Sequence, residues 1–302
     1  MDNRIEIVEG SPRDGLQNER EVVSTAAKVR LVEDLVAAGV RRMEVTSFVH
    51  PERVPQMADA EQVMAAVPRR DDLSCIGLVL NLRGAVRATA AGVDEINYVV
   101  PATDTFGQRN QGVTTRQALD ALGPIGTVAR EHGARLSVTV AVGFGCPYEG
   151  EVSTARLSEV AGEVVAAGVD ELALADTLGS AVPREVTERV RAVQHLATPL
   201  RLHLHETRHT GLANALAAIE AGVTVLDASA AGLGGCPFAP GAAGNVATED
   251  LAWMLARSGY DTGLDVPGVV AAGRRVCASI GLEPRSGVAR AVASPEAAIP
   301  VH

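Results

Sequence analysis

Aromatic residues are scarce in this chain, and no long run of basic residues occurs. Phe, Trp and Tyr together make up 3% of the 302 residues, and the formal net charge is -10. Proteins that bind nucleic acids usually present cationic patches, and many also present stacking side chains. No apolar run is long enough to cross a membrane, and the first residues lack the apolar core of a signal peptide. The sequence therefore predicts neither a nucleic-acid partner nor a membrane partner.

The four cysteines are widely separated, and no two of them form a C-x-x-C pair. Such pairs are typical of structural zinc sites and redox motifs, and disulfide frameworks usually need denser cysteines. The pattern favours free thiols in a reducing compartment, so we expect a cytoplasmic protein. Cys75, Cys146 and Cys277 fit packed thiols. Cys236 differs, because three glycines and Pro237 surround it, and a mobile loop there would deliver the thiol as a general acid or base.

Apolar runs of strand length alternate with segments of helical period along most of the chain. The predicted strands cover residues 5–9, 43–46, 73–80, 95–100, 136–142, 172–175, 200–205 and 224–228. Helices are expected between them, for example over 24–38, 114–131 and 210–221, and again after residue 246. This repetition predicts an α/β fold, a TIM (β/α)8 barrel with additional C-terminal helices. An open nucleotide-binding sheet is the rival, but no G-x-G-x-x-G follows the first strand.

An Ala-Gly-Val sequence recurs before the second, fourth, sixth and eighth predicted strands. Glycine in this place permits the left-handed conformation that ends a helix. No linker rich in Gly, Pro or Ser divides the chain. We therefore expect a single domain over residues 1–302, with the barrel at roughly 4–260 and a helical extension over 261–290.

Polar residues cluster where predicted strands end, which is where active sites lie in parallel barrels. Asp14 follows the first strand, and Asn245 follows the eighth. His203 and His205 are two residues apart, so both side chains point to one face of the seventh strand. Carboxylate, imidazole and amide ligands suit Mg²⁺, Mn²⁺ or Zn²⁺ with open positions for substrate oxygens. From the residues alone, a hydrogen-bonded histidine pair without metal is the alternative.

Other polar residues at the strand ends have two interpretations each. Arg13 is permanently cationic and would stabilise an enolate oxygen, or else it forms a surface ion pair with Asp14. Glu44 interrupts an apolar strand and is expected to pair with Arg13. Gln17 either orients a ligand or is a polar loop residue. Asp176 is either part of the catalytic machinery or a structural anchor beside it.

Several ordered segments resemble the hydroxymethylglutaryl-CoA (HMG-CoA) lyases, which are metal-dependent TIM-barrel lyases. The resemblance runs from about residue 8 to residue 255. Its most specific segments are RDGLQNE at 13–19, EVTSF at 44–48, VPQMAD at 54–59, CPYEG at 146–150, AGLGGCP at 231–237 and GNVATED at 244–250.

The resemblance implies a divalent-metal-dependent carbon–carbon lyase that acts on an acyl-CoA. HMG-CoA, or a related 3-hydroxy-3-substituted glutaryl-CoA, would give acetyl-CoA and a 3-keto acid. The implied metal ligands for Mg²⁺ or Mn²⁺, with Zn²⁺ as an alternative, are Asp14, His203, His205 and Asn245. The implied catalytic residues are Arg13, Cys236, Glu44 and Asp176, and Arg109 and Asn110 would contact CoA. A homo-oligomer, either a dimer or a tetramer, is expected.

Two other functions are weighed against this one. A Claisen-type synthase of the same barrel group would join an acyl-CoA to a keto acid, but its members do not typically carry G-L-G-G-C-P. A catalytically silent barrel that only binds a partner is disfavoured, because all candidate ligands and Arg13 are retained.

The sequence departs from the family pattern around the expected substrate pocket. Thr139, Ala141 and Val142 stand where relatives carry Tyr and then Ser-Cys, and Glu206 replaces the usual Asp. Arg208 and His209 stand where relatives have an aromatic residue and Gly. We expect Gln17, Thr139, Arg208 and His209 to contact substrate. The added space and positive charge predict a larger or more anionic group on C3 than methyl.

Overall fold

Eight parallel strands close into a barrel in chain order. The computed structural model describes residues 3–235 and 244–291. Each strand pairs in parallel with the next one, and the pairing of the first strand with the eighth closes the barrel. The predicted TIM barrel is confirmed. The strands are β1 (Glu6–Glu9), β2 (Arg42–Ser47), β3 (Ser74–Val79), β4 (Glu95–Pro101), β5 (Arg135–Ala141), β6 (Glu171–Ala175), β7 (Leu200–His203) and β8 (Val225–Ala228).

The helices fill the connections between the strands. Among the described residues, no helix combines the length and the apolarity needed to cross a membrane. The helices are α1 (Thr25–Ala37), α2 (Ala60–Ala66), α3 (Leu82–Ala90), α4 (Asp104–Gln111), α5 (Thr115–Asp120), α6 (Leu122–Glu131), α7 (Thr154–Ala166), α8 (Pro183–Val193), α9 (Gly211–Glu220), α10 (Thr248–Arg257), α11 (Val266–Ser279) and α12 (Gly287–Ala291).

Two elements differ from the sequence-based prediction. The helix expected over 114–131 is two helices, α5 and α6, that meet at Ala121. Pro124 explains the break, because it has no N–H to donate to the carbonyl of Asp120 four residues earlier. Strand β7 ends at His203 rather than at residue 205. His205 instead forms an isolated antiparallel bridge with Asn245, so the chain turns away from the barrel wall there.

The recurring Ala-Gly-Val sequences end helices as expected. Their glycines have φ angles of 97° at Gly39, 76° at Gly92, 81° at Gly168 and 100° at Gly222. These angles lie in the region that side chains with a Cβ avoid. Each glycine therefore lets the chain reverse from a helix into the next strand within two residues.

A buried ion network fills the barrel interior, well inside the apolar core. The guanidinium of Arg42 donates to Glu95 Oε1 and to Glu171 Oε1, both at 2.7 Å. Arg201 lies 3.3 Å from the same Glu171 oxygen, and its side chain is 1% exposed. Charges this deeply buried are tolerated only when they are paired. The network therefore ties β2, β4, β6 and β7 together, although breaking any one pair would be costly.

A buried carboxylate supports the turn that follows β8. Glu249, on α10, accepts a hydrogen bond at 3.0 Å from the backbone N–H of Ala231, whose φ angle is 61°. Burial raises the pKa of Glu249 to about 7, although backbone hydrogen bonds oppose the shift. Folding therefore favours the protonated form of this side chain. Its stabilising contribution is complete below the usual pKa of 4.5 and is lost as the pH rises through about 7.

We expect Glu249→Gln to stabilise the fold at alkaline pH and to have little effect near pH 4.5. Glutamine keeps an oxygen for the Ala231 N–H but carries no ionisable proton, so it avoids the cost of a buried charge. The gain over wild type at pH 8 should be about 2–3 kcal/mol in the free energy of unfolding by urea. An identical difference between the two proteins at both pH values would show that Glu249 does not titrate in this range.

Candidate metal centre and active site

A single π-helical turn, Ser11–Gly15, presents Arg13 and Asp14 to the mouth of the barrel. It follows β1 directly, and the backbone N–H groups of Asp14 and Gly15 both donate to Gly10 O, at 2.8 and 3.2 Å. Turns of this wide geometry are rare and often occur at functional sites. Arg13 Nη1 donates to Asp14 Oδ1 at 2.6 Å. The turn therefore places a cation and an anion side by side at the carboxyl end of β1.

Three potential ligand atoms converge at this end of the barrel. One oxygen of Asp14 and one ring nitrogen each of His203 and His205 all lie within 4.8 Å of one another. The Nε2 atoms of the two histidines are 3.1 Å apart. A hydrogen-bonded histidine pair would account for that distance, but not for a carboxylate oxygen directed at the same point. One carboxylate and two imidazoles suit a divalent cation, so these residues fit the metal that the sequence predicts.

The electrostatics of Asp14 and His205 favour the protonation states of metal ligands. Burial raises the pKa of Asp14, but the charges of Arg13 and of the two histidines outweigh it and hold that pKa below its usual range. Burial and the neighbouring charge of His203 lower the pKa of His205 to about 3. Asp14 is therefore anionic and His205 is neutral at physiological pH, as metal coordination requires.

His203 has a partner on the neighbouring strand. Its Nδ1 lies 3.1 Å from Asp227 Oδ2, and the two residues are paired in the register of β7 and β8. Burial lowers the pKa of His203, but the hydrogen bond and charge of Asp227 outweigh it and raise that pKa overall. The sequence analysis missed Asp227. Its signal was a carboxylate on a strand that is otherwise apolar.

Asn245 lies next to Asp14, but it presents the nitrogen of its amide. Its Nδ2 donates to Asp14 Oδ2 at 2.7 Å and to Leu233 O at 3.0 Å. In this orientation Asn245 holds Asp14 in place. Ligation of a metal by the amide oxygen of Asn245 stays a prediction.

A chain of polar contacts extends from Arg13 across the barrel. Arg13 Nε and Nη2 both contact Glu44 Oε2. Glu44 Oε1 accepts from Asn97 Nδ2 at 2.9 Å, and Thr139 Oγ1 donates to Asn97 Oδ1 at 2.9 Å. The expected pairing of Glu44 with Arg13 is present, while Asn97 was missed although it interrupts an apolar strand. Because each side chain in this series of contacts has a partner, the plane of the Arg13 guanidinium is fixed.

A cavity of about 520 Å³ opens onto Arg13 and the three convergent residues. Asn97, Val99, Thr139 and Ala141 form its wall along β4 and β5, as expected for the last two. Residues with side-chain amides also line it, at Gln17, Asn18 and Asn81 and at the end of α4, Asn110 and Gln111. The cavity thus joins a charged floor to a wall of small and apolar side chains and to a rim rich in amides.

Six predicted site residues are not among the described residues that line this cavity. Glu44 and Asn245 act behind it, through Arg13 and Asp14, and the other four are Arg208, His209, Arg109 and Asp176. Arg208 donates to the carbonyls of Leu178 and Gly179, and His209 is exposed. Their expected contact with substrate stays a prediction. Both lie beyond the point where the chain turns away from β7. Arg109 stacks over the ring of Tyr148, with 4.4 Å between the guanidinium carbon and the ring centroid.

Asp176 is the fourth of these residues. It is buried, and its carboxylate accepts from the backbone N–H groups of Ser180 and Ala181, both at 3.0 Å. These bonds hold the loop between β6 and α8, which agrees with the structural alternative for this residue. Cys236 lies outside the described residues, and its proposed acid–base role stays a prediction.

We expect His203→Ala to weaken the binding of Mn²⁺ by at least about tenfold, because one of three convergent ligand atoms is lost. Isothermal titration calorimetry on metal-stripped protein measures this effect directly. His132→Ala is the matched control, since His132 is exposed at the end of α6. Equal Mn²⁺ affinity in the two variants would contradict a metal centre at this position.

Comparison with known proteins identifies the family to which the chain belongs. The family model described as HMGL-like matches residues 4–276. A 3-hydroxy-3-isohexenylglutaryl-CoA/hydroxy-methylglutaryl-CoA lyase from Pseudomonas aeruginosa is 38% identical over 97% of this chain and 98% of its own length. An (R)-citramalyl-CoA lyase from Chloroflexus aurantiacus is 40% identical over 92% and 91% of the two chains.

A solved structure agrees with these relatives. The HMG-CoA lyase from Acinetobacter baumannii, in complex with coenzyme A and 3-methylmalate, superposes with a TM-score of 0.91. It is 38% identical, and the match covers 96% of this chain and 95% of that one. With a family model that covers nine-tenths of its length and relatives of this identity, the chain belongs to the HMGL-like family.

Proposed function

We propose that this protein is a divalent-metal-dependent carbon–carbon lyase. Its substrate is HMG-CoA or a related 3-hydroxy-3-substituted glutaryl-CoA, and its products are acetyl-CoA and a 3-keto acid. The observation that carries the proposal is the convergence of Asp14, His203 and His205 beside a fixed Arg13 at the floor of a substrate-sized cavity. The relatives from Pseudomonas aeruginosa and Chloroflexus aurantiacus are both named as lyases of CoA thioesters rather than as condensing synthases.

The chemistry of the cleavage assigns tasks to the residues of this chain. The bond between C2 and C3 breaks, its electron pair moves onto the thioester fragment, and the C3 hydroxyl becomes a carbonyl after losing its proton. A bound divalent cation supplies Lewis acidity that favours loss of that proton. Asp14, His203 and His205 would hold the cation, with Asn245 orienting Asp14 or adding a ligand.

We propose that Arg13 stabilises the negative charge that develops on the thioester oxygen. Its guanidinium cannot lose its proton, and Glu44 and Asn97 hold it in one orientation. A donor fixed before the reaction contributes more than one that must reorganise during it. The carbanion-like C2 must finally accept a proton, and we propose that the thiol of Cys236 delivers it.

The rim of the cavity suits the CoA part of the substrate. The pantetheine arm carries two amides, and the amide side chains of Asn110 and Gln111 can exchange hydrogen bonds with such groups. Gln111 Oε1 is buried and has no hydrogen-bond partner among the described residues. Arg53 also lines the cavity, whereas Arg109 is engaged with Tyr148, so we propose Arg53 as the cation that faces the CoA phosphates.

The side chains of β5 that line the cavity limit the size of the group that the substrate carries on C3. The hydroxyl of Thr139 donates to Asn97, and the side chain of Ala141 is only a methyl group. The cavity therefore has free space beside these two residues. The name of the Pseudomonas relative includes a substrate with an isohexenyl group at C3. We therefore propose that this chain also accepts a C3 group larger than methyl.

Further properties belong to the same proposal. Mg²⁺ or Mn²⁺ is the favoured cation, with Zn²⁺ as an alternative, and the protein is a cytoplasmic homo-oligomer. Residues 1–302 form one domain, with the barrel at roughly 4–260. Helix α11 lies within the proposed C-terminal extension over 261–290, and α12 ends one residue beyond it.

Removal of the metal tests the proposed reaction. We expect the protein with Mg²⁺ or Mn²⁺ to convert HMG-CoA, or a 3-alkyl analogue of it, into acetyl-CoA and the corresponding 3-keto acid. Treatment with EDTA should abolish the activity, and added metal should restore it. Product formation is followed by coupled assay or mass spectrometry. Full activity in stripped protein would contradict the metal-dependent mechanism, and no cleavage of any analogue would contradict the lyase.

A panel of 3-alkyl glutaryl-CoA analogues tests the space beside β5. We expect kcat/KM to be higher for a C3 group larger than methyl, by roughly 10-fold to 200-fold if one additional methylene is well packed. Thr139→Tyr, which fills the same space, should move the optimum back toward methyl. A clear maximum at methyl in the wild-type protein would rule out the wider pocket.

A further inference from the structure

The ring of His203 is held on both of its nitrogen atoms. Its Nε2 faces His205 and the candidate metal position, while its Nδ1 lies 3.1 Å from Asp227 Oδ2. A neutral imidazole carries a proton on only one nitrogen, and the acceptor on one side decides which nitrogen that is. With a carboxylate at Nδ1, the proton belongs there, and the lone pair of Nε2 is free to bind a cation.

Asp227 is held in turn by a buried arginine. Its other oxygen, Oδ1, lies 3.5 Å from Arg201 Nε, which is itself 3.3 Å from Glu171 Oε1. Arg201 is fully buried, and among the described residues its Nε and Nη2 have no hydrogen-bond partner that meets normal geometry. The attraction between Arg201 Nε and these two carboxylates is therefore mainly between charges. Arg201 depends on the carboxylates around it, and they depend on it.

The same network continues to the far side of the barrel. Glu171 binds Arg42, and Arg42 binds Glu95, which also accepts from Ser137 Oγ at 2.5 Å. The members are thus two buried arginines, Arg42 and Arg201, two buried carboxylates, Glu95 and Glu171, and the half-buried carboxylate of Asp227. The carboxylate at the end of this network nearest the metal position is the one that contacts His203.

We propose that Asp227 is a positioning residue for the metal centre and that Arg201 couples it to the buried ion network. Asp227 fixes the Nδ1–H tautomer and the ring plane of His203, and Arg201 fixes Asp227. The affinity for the cation therefore depends on a residue that does not touch it. The inference rests on the proposed metal site, and it concerns the strength of binding rather than the identity of the substrate.

The isosteric variant Asp227→Asn tests this role with Mn²⁺ as the probe. An asparagine that donates its amide N–H to Nδ1 moves the imidazole proton to Nε2, where it blocks coordination. We expect the Kd for Mn²⁺, measured by calorimetry, to rise about 10-fold to 100-fold, as is usual when the partner of a metal-binding histidine is lost. Glu95→Gln is the control within the same network. It should lower the melting temperature and leave the Kd for Mn²⁺ within about twofold.

A double-mutant cycle tests the part of Arg201. We expect Arg201→Gln alone to weaken Mn²⁺ binding, and to add little to the loss that Asp227→Asn already causes, since both changes release the same ring. Additive losses would show that Arg201 acts independently of Asp227. An unchanged Kd for Mn²⁺ in folded Asp227→Asn would overturn the proposal.

The tautomer of His203, observed in the wild-type protein, tests the role of Asp227 without changing Asp227 or Arg201. Long-range ¹⁵N–¹H correlation spectra, recorded in EDTA at the alkaline end of a pH titration where the ring is neutral, distinguish the two tautomers. The loss of one set of signals in His203→Gln assigns the residue. We expect the Nδ1–H form. An Nε2–H form would contradict the proposal. Failure of the wild-type protein to bind Mn²⁺ would count against the proposed metal site alone, since the tautomer would still report on Asp227.

Discussion

The pairing of β1 with β8 is the constraint on which the candidate site depends. It brings the carboxyl end of the first strand beside those of the last two, although the residues concerned are far apart in sequence. Asp14 can then reach His203 and His205, and Asn245 can reach Asp14. An open sheet of the same strands would leave these groups at opposite edges. Closure of the barrel therefore creates the metal centre as well as the fold.

Buried charge is the second theme of this structure, and it serves two purposes. Deep in the barrel, Arg42 and Arg201 pair with carboxylates from alternate strands. A layer of apolar side chains in the same place would cost less free energy to bury. Toward the mouth, Glu44 and Asp227 hold Arg13 and His203 in single orientations. Burying these charged groups costs free energy of folding. In return, the site has a cation and an imidazole that are already held in the orientation the proposed reaction needs.

The sequence predicted the barrel and the convergent residues because both follow from periodic patterns. Strand positions follow from apolar runs, and Asp14, His203 and His205 follow from the rule that sites form at strand ends. Asn97 and Asp227 were missed because their importance comes from strand register, which a single sequence does not show. Arg208 and His209 do not line the cavity, because β7 ends at His203 and the bridge between His205 and Asn245 takes the following residues away from it.

Anomalous diffraction from crystals of the protein soaked in Mn²⁺ tests the central claim most directly. The account predicts one strong peak within coordination distance of Asp14, His203 and His205, on the side of the histidine rings that bears Nε2. A peak elsewhere, or no peak at a concentration of Mn²⁺ that supports activity, would contradict it.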